Sequence, residues 1–115
     1  MSVKAFAAKL FAKRIHAKTQ KWVINPVETQ QQVFEALIKE AAQTQFGKDH
    51  DFGSIKSHSD FVQKVPVRDY EGLKHYVDKV VKGEENVLWK GKPLYFAKTS
   101  GTTSGAKYIP LTKES

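Results

Sequence analysis

A short segment near the carboxyl end, residues 99–107 with the order T-S-G-T-T-S-G-A-K, contains the side chains that a polyphosphate-binding site needs. Hydroxyl groups can donate hydrogen bonds to phosphate oxygens, glycine lets the backbone fold closely around them, and a lysine can neutralise their charge. We therefore predict a phosphate-binding site in this segment, which we name the hydroxyl loop. Its candidate ligand residues are Thr99, Ser100, Gly101, Thr102, Thr103, Ser104, Gly105 and Lys107.

The hydroxyl loop differs from a Walker A loop, which has the pattern G-x-x-x-x-G-K-[ST]. Counting from Gly101, the second glycine of that pattern falls on Ala106. The hydroxyl residue that binds magnesium in a Walker loop falls on Tyr108. A Walker loop also opens a helix, whereas Pro110 prevents an ordinary helix from continuing here. A P-loop NTPase is therefore disfavoured, and composition alone would also allow a flexible hairpin tip.

Two predicted strands must position the hydroxyl loop. The apolar and aromatic residues on its two sides favour extended structure at about 94–98 and 107–111, and the loop joins these strands as a β-hairpin. Helical periodicity, caps and breakers predict four helices before the hairpin, at about residues 3–22, 26–46, 59–64 and 69–82. The predicted fold class is therefore mainly α-helical with a C-terminal β-hairpin, an α+β arrangement.

Capping residues and glycines set the expected ends of the longer helices. Asn25 and Pro26 suit the cap and the first position of the second helix. Gly47 suits the left-handed residue that commonly follows such a helix. Asp69 suits the cap of the last helix.

Residues 48–59 have no sustained period and are predicted to form a loop. Within this loop His50 stands between two aspartates, and His58 follows nearby. Protein metal ligands usually occur at characteristic spacings, which this segment lacks. We therefore predict surface residues here rather than a metal site.

The net charge of +7 is concentrated at the amino end of the chain. Residues 1–22 hold six of the 19 basic side chains and no acid, which leaves 13 basic against 12 acidic side chains in the rest. The first helix could be a packing helix with solvated basic side chains, a membrane-surface anchor or a transit peptide. We favour packing, because the basic residues are spread around the helix, and we predict no nucleic-acid and no membrane partner. The alternative function is a small basic helical module that binds a membrane surface or nucleic acid.

The 115 residues contain no cysteine, which excludes disulfides, thiolate metal ligands and cysteine nucleophiles. Lys or Arg interrupts the apolar stretches, and none approaches the ~20 residues of a membrane-spanning helix. We expect a cytoplasmic protein with one small core.

The order of residues in and around the hydroxyl loop resembles a known signature. T-S-G-T-T-S-G-A-K, preceded by Y-F-A and followed by Y-I-P-L-T, is similar to the phosphate-binding signature of adenylate-forming enzymes, and looks most like that of the GH3 family of acyl-acid amido synthetases. F-G-K-D-H-D-F at 46–52 and V-P-V-R-D-Y-E-G-L-K-H-Y-V at 65–77 resemble segments that precede the signature in GH3 proteins. The resemblance covers most of the chain from Phe34 onward. It departs from the wider class at Ala106, where a proline is usual.

The resemblance implies that residues 1–115 are the amino-terminal part of the large adenylating domain of a longer α/β enzyme. That enzyme would use ATP and Mg²⁺ to convert a carboxylic acid to an acyl-adenylate, and would then transfer the acyl group to an amine or amino acid. The 115-residue fragment itself would be inactive, because most of the active site would lie downstream. The unpaired edge of its terminal hairpin would let the fragment self-associate.

The resemblance also implies roles for the residues of the hydroxyl loop. The β- and γ-phosphates would be held by the hydroxyls of Ser100, Thr102 and Thr103 and by the amides around Gly101 and Gly105. The carboxylate would then attack the α-phosphorus in line. Lys107 would offset the charge of the leaving pyrophosphate. None of these residues is a nucleophile or a general base, so the loop is expected to act by positioning and charge stabilisation.

Overall fold

A computed structural model describes residues 2–101 and 105–115, and the chain divides into two compact units at the boundary between Phe34 and Glu35. The helices are α1 (Val3–Ile24), α2 (Pro26–Ala41), α3 (Gln45–Asp49), α4 (His58–Lys64) and α5 (Tyr70–Val81), with a 3₁₀ turn at Phe52–Ser54, and the strands are β1 (Tyr95–Lys98) and β2 (Tyr108–Leu111). This order confirms the predicted fold class, a mainly helical chain that ends in an antiparallel hairpin.

The first unit contains α1 and the beginning of α2. The side chain of Ser2 caps α1 by accepting a 3.2 Å hydrogen bond from the backbone nitrogen of Ala5. α1 ends at Ile24, two residues later than predicted, and Asn25 separates it from Pro26, the first residue of α2. None of the described residues of α1 is buried, so packing of its apolar side stays a prediction. No helix in the described part of the chain is long and apolar enough to cross a membrane.

The single helix expected over residues 26–46 is two helices in the structure. α2 ends at Ala41, and the buried side chain of Thr44 caps a second helix, α3. The Thr44 hydroxyl donates to the Ala41 carbonyl at 2.6 Å and accepts from the Gly47 amide at 3.0 Å. Gly47 therefore lies inside α3 rather than after a helix, and a Cβ there would overlap the Ala41 carbonyl oxygen. Close backbone packing, and not a left-handed conformation, is what requires glycine at this position.

The segment predicted as a loop over residues 48–59 is largely ordered into short elements. It contains the end of α3, the 3₁₀ turn and the first residues of α4. Ser57 and Asp60 form a reciprocal capping box at the start of α4, in which the Ser57 hydroxyl accepts from the Asp60 amide at 3.2 Å. Because Ser57 is the capping residue, α4 begins at His58, one residue earlier than predicted.

His50 is buried rather than at the surface, with 7% of its area exposed. Its ring stacks on Phe46 with 4.0 Å between the ring centroids, and its Nδ1 lies 2.7 Å from the Phe46 carbonyl oxygen. No group of three or more His, Cys, Asp or Glu residues arranged for a metal ion occurs among the described residues. His50 is therefore a packing residue next to the core.

The core of the second unit forms between α5 and the segment that follows it. Its buried members are Tyr76, Val80 and Val87, and the half-buried residues packed against them are Phe46, Leu73 and Leu88. α5 begins where expected, because Asp69 accepts a 2.9 Å hydrogen bond from the Gly72 amide. It ends before Gly83, which adopts a φ of 95°.

The segment between α5 and β1 has no regular secondary structure but is held by backbone hydrogen bonds. Asn86, at a φ of 56°, accepts from the Gly91 amide through its side chain at 2.7 Å. The carbonyls of Asn86 and Val87 accept from the amides of Gln45 and Phe46 at 2.8 and 2.9 Å. These are the first two amides of α3, which have no partner within the helix itself. Residues 86 and 87 thus fix the place where α3 begins.

Candidate phosphate-binding loop

The hydroxyl loop is closed at its base by two hydrogen bonds between the same two residues. The Thr99 amide donates to the Lys107 carbonyl at 2.9 Å, and the Lys107 amide donates to the Thr99 hydroxyl oxygen at 3.1 Å. The pair continues the ladder of the hairpin, in which Lys98 lies opposite Tyr108. Thr99 therefore serves as the neck of the loop, and its hydroxyl keeps a proton that it can donate.

Both glycines of the hydroxyl loop adopt left-handed conformations. The φ angles are 65° at Gly101 and 79° at Gly105. At Gly101 a Cβ would also lie 2.6 Å from the Ala106 backbone nitrogen, which is closer than real side chains approach. The backbone on the two sides of the loop is thus in direct contact, and a side chain at Gly101 would force the sides apart. This agrees with the sequence-based argument that glycine lets the backbone fold tightly here.

Three of the eight candidate ligand residues, Thr102, Thr103 and Ser104, lie outside the described residues. Ser100 is exposed immediately before Gly101. The described part of the loop therefore brings together Thr99, Gly101, Gly105 and Lys107 at the base, with Ser100 leading towards the tip.

Lys107 is half-buried and lies against an aromatic ring from a helix distant in the sequence. Its Nζ is 5.8 Å from the centroid of the Tyr70 ring, within the range of a cation–π contact. The Tyr70 hydroxyl oxygen accepts a 2.9 Å hydrogen bond from the backbone nitrogen of Tyr108, the residue after Lys107. Tyr70 is the first residue of α5, so this helix contacts the base of the hydroxyl loop twice.

Sequence reasoning missed the role of Tyr70. A contact with a residue 38 positions away leaves no local pattern in the sequence.

The base of the hydroxyl loop carries uncompensated positive charge. Lys98 lies opposite Tyr108 in the hairpin, with its Nζ 6.0 Å from the centroid of that ring. Within the described part of the chain, neither Lys98 nor Lys107 forms an ion pair with a carboxylate. Lys107 is a residue of the loop itself, and an ammonium group beside a glycine turn is suited to an anionic ligand.

Several curated proteins are similar to this chain in sequence. The chain is 35% identical over 92 residues to an indole-3-acetic acid-amido synthetase of Arabidopsis thaliana, GH3.15, which covers 78% of this chain and 15% of the relative. It is 28% identical over 91 residues to GH3.2 of the same plant, with 78% and 17% covered. A probable indole-3-acetic acid-amido synthetase of Oryza sativa subsp. japonica, GH3.13, is 38% identical over 56 residues, with 47% and 12% covered. The chain is therefore related to a class of enzymes, the amido synthetases.

Residues 15–115 match the model of the GH3 family N-terminal domain. The chain belongs to the GH3 family. It spans about 15% of the length of the first curated relatives that it matches.

Proposed function

We propose that this chain is the amino-terminal part of an ATP-dependent acyl-acid amido synthetase, and that its hydroxyl loop binds the β- and γ-phosphates of the nucleotide. The observation that carries the proposal is the closed base of the loop. The two Thr99–Lys107 hydrogen bonds and the left-handed Gly101 and Gly105 close this base, and among the described residues the Lys107 ammonium forms no ion pair with a carboxylate.

Each residue type in the loop has a role that follows from its chemistry. The hydroxyls of Ser100, Thr102 and Thr103 would donate hydrogen bonds to phosphate oxygens, together with the backbone amides around the two glycines. Lys107 would offset the charge that develops on the leaving pyrophosphate. Thr99 would hold the neck of the loop, because its hydroxyl already accepts from the Lys107 amide.

The hydrogen-bond donors and the charge of these residues suit the phosphates of a nucleotide. The loop offers hydroxyls, amides and an ammonium, and no carboxylate that would repel phosphate lies between residues 99 and 107. ATP, entering with Mg²⁺, would supply the adenylyl group that activates a carboxylic acid. The acyl group would then pass to an amine or amino acid. Relatives named for indole-3-acetic acid make an arylacetic acid the first substrate to examine.

The same proposal places the chain in a larger adenylating domain of α/β architecture and in the cytoplasm. The 115 residues alone would be inactive, because a binding loop needs surrounding elements to hold its substrate in reactive geometry. Phosphate binding by the loop and catalysis by the longer polypeptide are therefore separate expectations.

Acid-dependent ATP–pyrophosphate exchange tests the proposal in a polypeptide that carries this chain as its amino-terminal part. Exchange should appear with at least one member of a panel of carboxylic acids that includes indole-3-acetic acid. Replacing Thr102 and Thr103 together by alanine should lower the exchange rate by about 10²-fold, the usual effect of removing donors to developing charge. Thr112→Ala is the matched control, because its hydroxyl lies outside the loop near Ser115. Absence of exchange with every acid would overturn the proposal.

A further inference from the structure

We propose that Tyr70 is a positioning residue for the hydroxyl loop: its hydroxyl fixes the returning strand, and its ring holds the Lys107 ammonium until a phosphate replaces it. This inference rests on the proposed function for the identity of the ligand. Its two structural parts, the hydrogen bond and the ring contact, can be measured without any ligand.

The hydroxyl of Tyr70 satisfies an amide that the hairpin cannot satisfy. Residues on antiparallel strands alternate between pairs that exchange hydrogen bonds and pairs that do not. The Thr99 amide bonds to the Lys107 carbonyl, so this pair is a hydrogen-bonded one. The next pair, Lys98 and Tyr108, is therefore not, and the Tyr108 amide faces away from β1. The Tyr70 hydroxyl oxygen accepts from this amide at 2.9 Å. The backbone next to Lys107 is therefore held from both sides.

The ring of Tyr70 restrains the other end of the Lys107 side chain. The 5.8 Å separation between Nζ and the ring centroid keeps the ammonium near the base of the loop instead of free in solvent. Because the ammonium leaves the ring when an anion binds, the contact sets where Lys107 lies in the free loop and does not itself add to the affinity. A phosphate oxygen forms a charge-assisted hydrogen bond, which is stronger than an exposed cation–π contact, so the ligand can take the ammonium from the ring.

Tyr70 can act as an anchor because α5 is itself firmly held. The Asp69 side chain caps its first turn, and Tyr76 and Val80 pack in the core of the second unit. Tyr70 is thus the point at which the core supports the hydroxyl loop, 38 residues from the amide that it binds.

The test uses NMR spectroscopy of the 115-residue chain and its variants Tyr70→Phe and Tyr70→Leu. In the unmodified chain the ring current should shift the Lys107 ε-methylene protons upfield, and the Tyr108 amide should exchange slowly with solvent. Tyr70→Phe should keep the upfield shift but accelerate exchange of the Tyr108 amide by about tenfold, the effect of losing one hydrogen bond. Tyr70→Leu should lose both signatures. The control is Tyr95→Phe, which changes a tyrosine that is 73% exposed and should alter neither.

Titration with inorganic pyrophosphate then links these signatures to binding. The upfield shift of Lys107 should disappear as pyrophosphate saturates the unmodified chain. The dissociation constant should rise about threefold in both Tyr70→Phe and Tyr70→Leu, which lose the same hydrogen bond, and should not change in Tyr95→Phe.

Two outcomes separate this inference from the proposed function. Equal pyrophosphate affinity in the unmodified chain and both Tyr70 variants, with loop amides perturbed in each, would overturn the role of Tyr70 and leave the phosphate site standing. If pyrophosphate perturbs no loop amide in the unmodified chain, the phosphate assignment fails and the functional part of the inference fails with it. Because Tyr70→Phe keeps the size of the side chain, a folding defect in Tyr70→Leu would still leave the hydrogen-bond step open to test.

Discussion

The hydroxyl group of Tyr76 donates a 2.7 Å hydrogen bond to the carboxylate of Asp49, and this bond joins α5 to the last residue of α3. The phenol ring lies in the core with only 4% of its area exposed. Burial, followed by the hydrogen bond and negative charge of Asp49, raises the pKa of Tyr76 to about 12 from its ordinary value of 10.0. The neutral phenol is therefore part of the native structure.

This pKa shift predicts a loss of stability at alkaline pH. Tyr76 keeps its proton in the folded chain between about pH 10 and pH 12 but loses it in the unfolded chain, so unfolding releases a proton in that window. The stabilisation is fully present below pH 10 and disappears as the pH rises through 12, with a total on the order of 2 kcal/mol.

Urea unfolding at several pH values from 8 to 12 measures this effect. The comparison is with Tyr76→Phe, which should be less stable at pH 8 and should lose less of its stability across the window. Tyr95→Phe, which alters an exposed phenol, should follow the unmodified chain. Parallel alkaline slopes for Tyr76→Phe and the unmodified chain would show that Tyr76 is not the responsible group.

A pair of glycines gives a matched test of the packing between α2 and α3. A Cβ at Gly47 would overlap the Ala41 carbonyl oxygen, whereas a Cβ at Gly53 would have no heavy atom within 4 Å. Gly47→Ala should therefore lower the free energy of unfolding by about 2 kcal/mol or more, because the obstacle is backbone that cannot move aside. Gly53→Ala should change it by less than about 0.5 kcal/mol. Equal effects of the two substitutions would contradict the close approach of α3 to the end of α2.

The sequence was sufficient for elements whose ends are set by neighbouring residues. α5 follows from the Asp69 cap and the glycine at 83, and the hairpin follows from two apolar segments around a glycine-rich turn. The division between α2 and α3 was missed because Ala41 and Ala42 continue the helical period. The end of α2 is instead set where Thr44 caps a new helix whose first amides bond to residues 86 and 87.

In the candidate site, too, the features set by neighbouring residues were predictable and the contacts between distant residues were not. The order of residues 99–107 was enough to predict a glycine-containing connection between two strands, and its phosphate ligands stay a prediction. It could not predict that the Thr99 hydroxyl accepts from the Lys107 amide, because this depends on the register of the hairpin. Nor could it predict the contacts of Tyr70, which depend on how α5 lies against β2.

Self-association of the 115-residue chain stays a prediction, and the structure narrows the surface to one edge of the hairpin. On β2 the outward amide of Tyr108 is already bonded to Tyr70, and Pro110 has no amide to donate. On β1 the alternation of the ladder turns the amides of Phe96 and Lys98 outward. A second copy should therefore pair with β1.

Sedimentation velocity over a range of concentrations checks this prediction. The unmodified chain should show an average sedimentation coefficient that rises with concentration. Phe96→Pro removes an outward amide without removing a bond to β2, and should shift the chain towards the monomer. A sedimentation coefficient that is independent of concentration in the unmodified chain would contradict self-association.

Binding of inorganic tripolyphosphate to the 115-residue chain, followed by the amide chemical shifts of residues 99–107, tests the phosphate site most directly. We expect the largest shifts to fall on these residues, Thr102→Ala combined with Thr103→Ala to weaken binding by at least about tenfold, and Thr112→Ala to leave binding unchanged. The largest shifts in another part of the chain, or equal binding by the double variant, would contradict it.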